Sequence, residues 1–250
     1  MTKRLMCITA HPDDESGGFA GALIQAHAHG AETSVICLTD GRAASNRGDA
    51  RNEQELAEMR RREFAAALRV LGTDHGEVLD YPDGKLVEQN FTEVTATLVD
   101  RIRRFRPQVI MTFGGDGNVN LHADHTMVSF FATAAFHWAG RSDFAPEQAA
   151  GLAHYRPQKL YYSAPLFFAH LSAGEAKEIA VTPYSLVLEL GSLKAKKLEA
   201  FLEHKSQAAI LNQVRDAFSR TGEQEKYLLV ATRGLKSSLS ETNMFDGIEE

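Results

Sequence analysis

Cysteine is nearly absent from this chain: two residues in 250, Cys7 and Cys37, too few to build a disulfide framework at this length. Both fall inside apolar runs, so they are expected as reduced core thiols in a cytoplasmic protein. An excess of positive charge is missing too. Against 33 Asp and Glu stand 27 Lys and Arg, a formal net charge of −6. That balance excludes the basic footprint which nucleic acid or an anionic membrane rewards. The arginine clusters at 60–62 and 101–106 lie on expected helices among acidic neighbours and read as solvated helix faces. No apolar run approaches the roughly 20 residues of a membrane span. The run behind the basic start Met1-Thr2-Lys3-Arg4 is too short for a signal segment. Internal repeats, low-complexity stretches and linkers are also lacking, so residues 1–250 are expected to form a single domain with its own core.

What is present is alternation. Apolar runs at 5–9, 34–39, 78–80 and 109–113 read as strands. Helical patterns separate them. One runs from Phe19 to near Gly30, and one is capped by Asn52 with Glu55 and closed by Gly72. A third opens at Asn90 with Glu93 and continues to about Phe105, and a fourth buries Met127, Val128, Phe131, Ala135 and Trp138. Later strands are expected at 159–163, 185–190 and 227–232, with Phe-, Ala- and Pro-rich chain between the first two. Ser192 is expected to cap a long helix that includes Leu198, Phe201, Leu202 and His204-Lys205-Ser206-Gln207. Repeated βα units imply an α/β fold: a Rossmann-like domain whose mainly parallel sheet carries helices on both faces.

The chemistry gathers at two of these strand ends. Ala10-His11-Pro12-Asp13-Asp14-Glu15 follows the first strand, and His122-Ala123-Asp124-His125 follows the fourth. Open α/β sheets bind ligands at the carboxyl ends of their strands. An imidazole and three carboxylates crowded there must bind a cation or raise one another's pKa values, and metal binding is the simpler outcome. A catalytic zinc site takes three protein ligands and leaves a position for water. His11, Asp14 and His125 supply two imidazoles and one carboxylate. Asp13 is then left beside the water as general base. His122 is left over as well, with Asp124 placed to orient an imidazole and support its charged form. Fe(II), Co(II) and Mn(II) accept the same donors. Taken singly, each cluster has a plainer reading as a helix cap or as compensation of a helix dipole. The loop Gly114-Gly115-Asp116-Gly117 lacks the Lys-Ser/Thr of a phosphate loop. No Gly-x-Ser-x-Gly elbow of a serine hydrolase is present.

These motifs resemble the PIG-L/LmbE family of zinc-dependent N-acetylglucosaminyl deacetylases. Thr39-Asp40-Gly41, Arg60-x-x-Glu63 leading to Leu71-Gly72, Pro82-Asp83-Gly84 and His204-Lys205-Ser206-Gln207 extend the resemblance nearly end to end. It implies that His11, Asp14 and His125 bind zinc and that Asp13 is the base. It also implies that His122, paired with Asp124, stabilises the oxyanion or protonates the leaving amine, and that Arg60 holds the substrate. The expected function is removal of the N-acetyl group from an N-acetylglucosamine-type small molecule, joined for example to malate or inositol, giving acetate and free amine. Two alternatives remain. One is a metal-dependent amidase or deacylase acting on a thiol conjugate or an antibiotic sugar. The other is a non-catalytic sugar- or nucleotide-binding module. The expected partner is a small N-acetylated sugar, with neither nucleic acid nor membrane; a homo-oligomer is left open. The role of His204, as a helix-packing residue or a site residue, stays open, and His27, His29, His75, His137, His154 and His170 read as core or surface residues.

Overall fold

The central strands bury on both faces, as their continuous apolar runs require. In a computed structural model that describes residues 2–117, 122–144, 146–163, 184–210, 223–233 and 240–249, seven strands form one sheet. They are β1 (Arg4–Thr9), β2 (Glu32–Thr39), β3 (His75–Tyr81), β4 (Val109–Thr112), β5 (Lys159–Ser163), β6 (Leu186–Glu189) and β7 (Gln224–Thr232). Their order is β3-β2-β1-β4-β5-β7-β6. The first five run parallel, and β7 is antiparallel to both its neighbours. Six α-helices accompany them among the described residues: α1 (Asp14–Gly18), α2 (Ala20–Ala28), α3 (Glu53–Leu71), α4 (Phe91–Phe105), α5 (Ala123–Trp138) and α6 (Leu193–Leu202). α4 packs with α5 on one face, and α6 packs with α1, α2 and α3 on the other. The Rossmann-like expectation holds. No described helix is long and apolar enough to cross a membrane.

Strand β1 lies between β2 and β4: Leu5 pairs with Thr33 on one side and Val109 on the other. The chain winds outward through β2 and β3, then returns to add β4. The β1/β4 boundary is therefore the topological switch point, where the loops leaving two parallel strands diverge and open a crevice. Both chemistry-bearing clusters follow these two strands.

Several boundaries differ from expectation for identifiable reasons. β3 begins three residues before Val78 because it is an edge strand, partly exposed, and lacks the apolar run that marks a buried one. Asn52 caps α3 by accepting the Glu55 N–H at 2.9 Å, and Gly72 closes the helix at φ 78°. The Glu55 carboxylate does not close a capping box; it takes the Arg51 N–H and guanidinium instead. Ser192 makes no side-chain cap, and α6 ends at Leu202, so Lys205–Gln207 form a separate 3-10 turn rather than part of that helix. The Phe-, Ala- and Pro-rich chain at 164–183, with His170, lies outside the described residues. The arginine clusters are not uniformly solvated either. Arg60 and Arg103 are 3% and 5% exposed, and Arg103 donates to the carbonyls of Ala139, Arg141 and Phe144. Loop carbonyls with no strand partner attract a guanidinium inward, and a charge count along a helix cannot show that.

Candidate metal centre

The turn after β1 folds back on itself. Asp14 Oδ2 accepts the N–H groups of Ala10 and His11 at 3.0 and 2.8 Å, which fixes both the carboxylate and the His11 backbone. Its other oxygen lies 3.2 Å from His125 Nε2 across the crevice. His125, in the first turn of α5, stacks on Phe113 at 4.2 Å. It sets Nδ1 3.1 Å from the Gly117 carbonyl. That carbonyl accepts the Nδ1 proton and turns Nε2 toward Asp14, an arrangement that orients imidazoles for metal binding. The ligand atoms of His11, Asp14 and His125 all lie within 4.8 Å of one another, as do those of His11, His122 and Asp124. The donor set of the first group, two imidazoles and a carboxylate, suits zinc and its divalent neighbours.

The charge balance points the same way. Burial disfavours a charged His11, but the carboxylates of Asp124 and Asp83, 3.3 and 3.1 Å from Nε2, push the imidazole up to about 10. Burial likewise disfavours charge on Asp14, yet the His125 and His11 imidazoles outweigh it and hold that carboxyl well below the usual range. Three carboxylates thus converge on one imidazole. A divalent cation would take the place of its proton.

Asp13 sits at φ 122°, ψ −26°, a region L residues rarely occupy, and its carbonyl receives the Ser16 and Gly17 N–H groups. Arg60 reaches it from α3. One amino group of the guanidinium bonds the Pro12 carbonyl and, at 2.9 Å, Asp13 Oδ2; the other bonds the Gly41 carbonyl at 2.9 Å. Gly41 must be glycine here: at φ 69°, a Cβ would stand 2.2 Å from Arg60. Burial pushes the Asp13 carboxyl up to about 6, against the pull of Arg60. The resemblance implies that Arg60 holds substrate, but the protein itself occupies both its amino groups.

His122 caps α5, its Nδ1 accepting the Asp124 N–H at 3.2 Å. This leaves Nε2 to carry the proton of the neutral ring. Burial, with His11 and His125 close by, lowers its pKa. The expected His122–Asp124 pairing is therefore a backbone contact. The Asp124 carboxylate, fully buried, turns to His11 and accepts the N–H groups of Gly84 and Leu86 at 2.7 and 3.1 Å. Two anchored backbone donors hold it against His11, so the imidazole it orients and whose charged form it supports is His11, with His122 bonded only through the Asp124 backbone. Asp83 is the site residue that sequence reasoning misses. Its motif marks it only as part of a turn, yet it meets His11 and accepts the Ala43 N–H at 2.7 Å, tying the 40–51 loop to the crevice.

The remaining motif residues join the site from below. Glu63, one turn from Arg60 on α3, receives the Ser206 N–H and hydroxyl at 2.7 and 2.6 Å. His204 Nε2 lies 2.7 Å from Glu15, both side chains at 0% exposure. His27 and His75 pair with Asp74 and Glu32 near the amino ends of the strands, away from this crevice.

Fold and site together define a class: an α/β protein with a two-His, one-carboxylate cluster at the switch point and an acid beside it. The chain belongs to the PIG-L family, described as GlcNAc-PI de-N-acetylases, whose model matches residues 6–136. It is 33% identical over 178 residues to a mycothiol S-conjugate amidase of Streptomyces coelicolor, covering 64% of this chain and 60% of that one. It is 32% identical over 171 residues to a 1D-myo-inositol 2-acetamido-2-deoxy-alpha-D-glucopyranoside deacetylase of Streptomyces griseus, covering 60% and 51%. The matched region thus spans about half to three-fifths of these relatives' length. The fold is shared with the N,N′-diacetylchitobiose deacetylase of Pyrococcus horikoshii (TM-score 0.73, 22% identity, 92% of this chain and 84% of that one).

Proposed function

We propose that the chain is a divalent-metal-dependent hydrolase that cleaves the acetamide of an N-acetylglucosamine-type small molecule, releasing acetate and free amine. The convergence of His11, Asp14 and His125 beside Asp13 carries this reading. The named activities of the relatives, all cleavage of an amide C–N bond, support it. Zinc is the proposed ion, held by those three residues; when bound, it polarises the amide carbonyl and acidifies the attacking water. Asp13 takes the water proton as the oxygen adds to the carbonyl carbon. His122, its Nδ1 engaged by the backbone, directs Nε2–H to the developing oxyanion or the departing nitrogen. Arg60 enters this scheme through Asp13, whose carboxylate it holds, and Asp124 and Asp83 orient the His11 imidazole. Two buried free thiols suit the proposed cytoplasmic setting.

A second reading rests on the Streptomyces coelicolor relative: the same site cleaving the amide of a thiol conjugate. Amine release from a panel of N-acetylglucosaminides and from a mycothiol-type S-conjugate, by zinc-reconstituted and chelator-treated protein, separates the two. Turnover of the S-conjugate alone would replace the deacetylase reading, and turnover unaffected by chelation would remove the metal. His125→Ala is expected to lose the bound ion, read as metal per chain by elemental analysis. Undiminished metal would strike His125 from the ligand set.

A further inference from the structure

Asp13 holds its carboxylate out from a backbone conformation that its residue type does not favour. At φ 122° it lacks both the side-chain bond of a capping residue and the freedom of glycine. Two buried groups restrain the peptide. Arg60 takes the Pro12 carbonyl on one side. On the other, Glu15 Oε2 accepts the Asp13 N–H at 3.0 Å.

Glu15 is itself fully buried and needs restraint. Its second oxygen receives the Ser16 hydroxyl at 2.7 Å and lies 2.7 Å from His204 Nε2. His204 comes from the turn after α6, nearly 190 residues away in sequence, and that turn is bonded to α3 through Ser206 and Glu63. Without His204, the second Glu15 oxygen keeps only the Ser16 hydroxyl, and the carboxylate is free to reorient away from the Asp13 N–H. A direct contact between His204 and the crevice is not needed for it to matter.

We infer that His204 is a positioning residue: through Glu15 it holds the Asp13 peptide in the strained conformation that presents the carboxylate to the reacting water. The inference rests on the base assignment of the proposed function. It predicts coupling between His204 and Asp13, which a merely structural ion pair does not produce. A buried pair of that plain kind would change melting temperature and folded yield, and would leave the turnover of each metal-loaded molecule unchanged.

The test is a double-mutant cycle on the acetylated sugar that the wild-type chain hydrolyses, with metal content and KM measured for each variant. His204→Leu, with metal bound, is expected to lower kcat at least about tenfold with KM within about threefold. His204→Gln, whose amide N–H still reaches Glu15, recovers most of that loss. In an Asp13→Asn background, His204→Leu costs less than about twofold, since the residue it positions no longer acts. Equal costs in the two backgrounds, or wild-type kcat in metal-loaded His204→Leu, overturn the inference. Where Glu15 left alone prevents folding, Glu15→Gln/His204→Leu carries no lone buried charge and has the same two outcomes. Near-normal turnover of Asp13→Asn itself removes the base assignment, and this inference with it. An additive cycle with Asp13→Asn inactive removes only the inference. A crystal structure of His204→Leu reads the strain without turnover: Asp13 is expected to leave φ near 122°, and an unchanged φ counts against the role.

Discussion

Asp13→Asn is expected to lower kcat by about a hundredfold to ten-thousandfold, the usual contribution of a general base, with one metal ion still bound per chain. The amide has the shape of the carboxylate, and Asn tolerates positive φ as well as Asp does. Its oxygen still accepts from Arg60, 2.9 Å away in the native protein. What it cannot do is take a proton. The substitution also removes a carboxyl that burial pushes up to about 6. A folded-state pKa above the ordinary value means that the charged form costs stability at neutral pH, which offsets the broken Arg60 ion pair, so the melting temperature of the metal-free protein is expected to change little. Steady-state kinetics alongside elemental analysis and a thermal melt check all three. Near-normal turnover with metal in place would move the base elsewhere. Glu15 could not inherit the role, since it has no exposed surface and both its oxygens are engaged. Asp83, against His11 and not wholly buried, would then be the candidate.

Much of this site is legible in the amino-acid sequence, and the reason is local. His11, Asp13 and Asp14 share one turn, and His122, Asp124 and His125 share another, each following an apolar strand. A parallel sheet places such turns at one edge, so strand order alone decides whether they meet. Here β1 and β4 are neighbours, and they do. Residues whose role depends on a distant partner are not legible in the same way. Arg60 reads equally as a substrate fork or a surface charge, because its spacing says nothing of the Pro12 and Gly41 carbonyls that claim it. Asp83 looks like turn chemistry, and the turn is real, but its carboxylate answers to His11 on another strand's loop. His204 gains a role only because the 3-10 turn after α6 brings it to Glu15. The edge strand β3 is the least legible strand for a related reason: at one end of the sheet it buries too little to carry a continuous apolar run, whereas β6 at the other end falls within the expected 185–190.

The second large effect concerns stability, and its residue is invisible in sequence. Glu225→Ala is expected to cost about 3–5 kcal/mol, the usual penalty for breaking a buried ion pair by removing one partner. In a chain of this size that lowers the melting temperature by roughly 6–20 °C. Glu225 is 2% exposed, and its carboxylate has four partners. One oxygen receives the Gly21 N–H at 2.8 Å and Lys197 Nζ at 2.6 Å; the other receives the Ala22 N–H at 3.1 Å and the Tyr227 hydroxyl at 2.7 Å. The two backbone donors belong to the opening turn of α2, where Phe19 stands at the cap position and has no side-chain oxygen to offer. A carboxylate from β7 therefore does for α2 what Asn52 does for α3. Gly21 admits it: a Cβ there would lie 2.8 Å from Glu225 Oε2 and 2.3 Å from Leu190. Neutralising the ion pair alone does not restore this arrangement. Lys197→Met with Glu225→Leu removes both charges but still orphans two helix N–H groups, while the Tyr227 hydroxyl keeps the Gly18 carbonyl at 3.0 Å, so it is expected to remain below wild type in thermal melts. Recovery to within about 2 °C of wild type would show that the pair, and not the cap, is what Glu225 contributes.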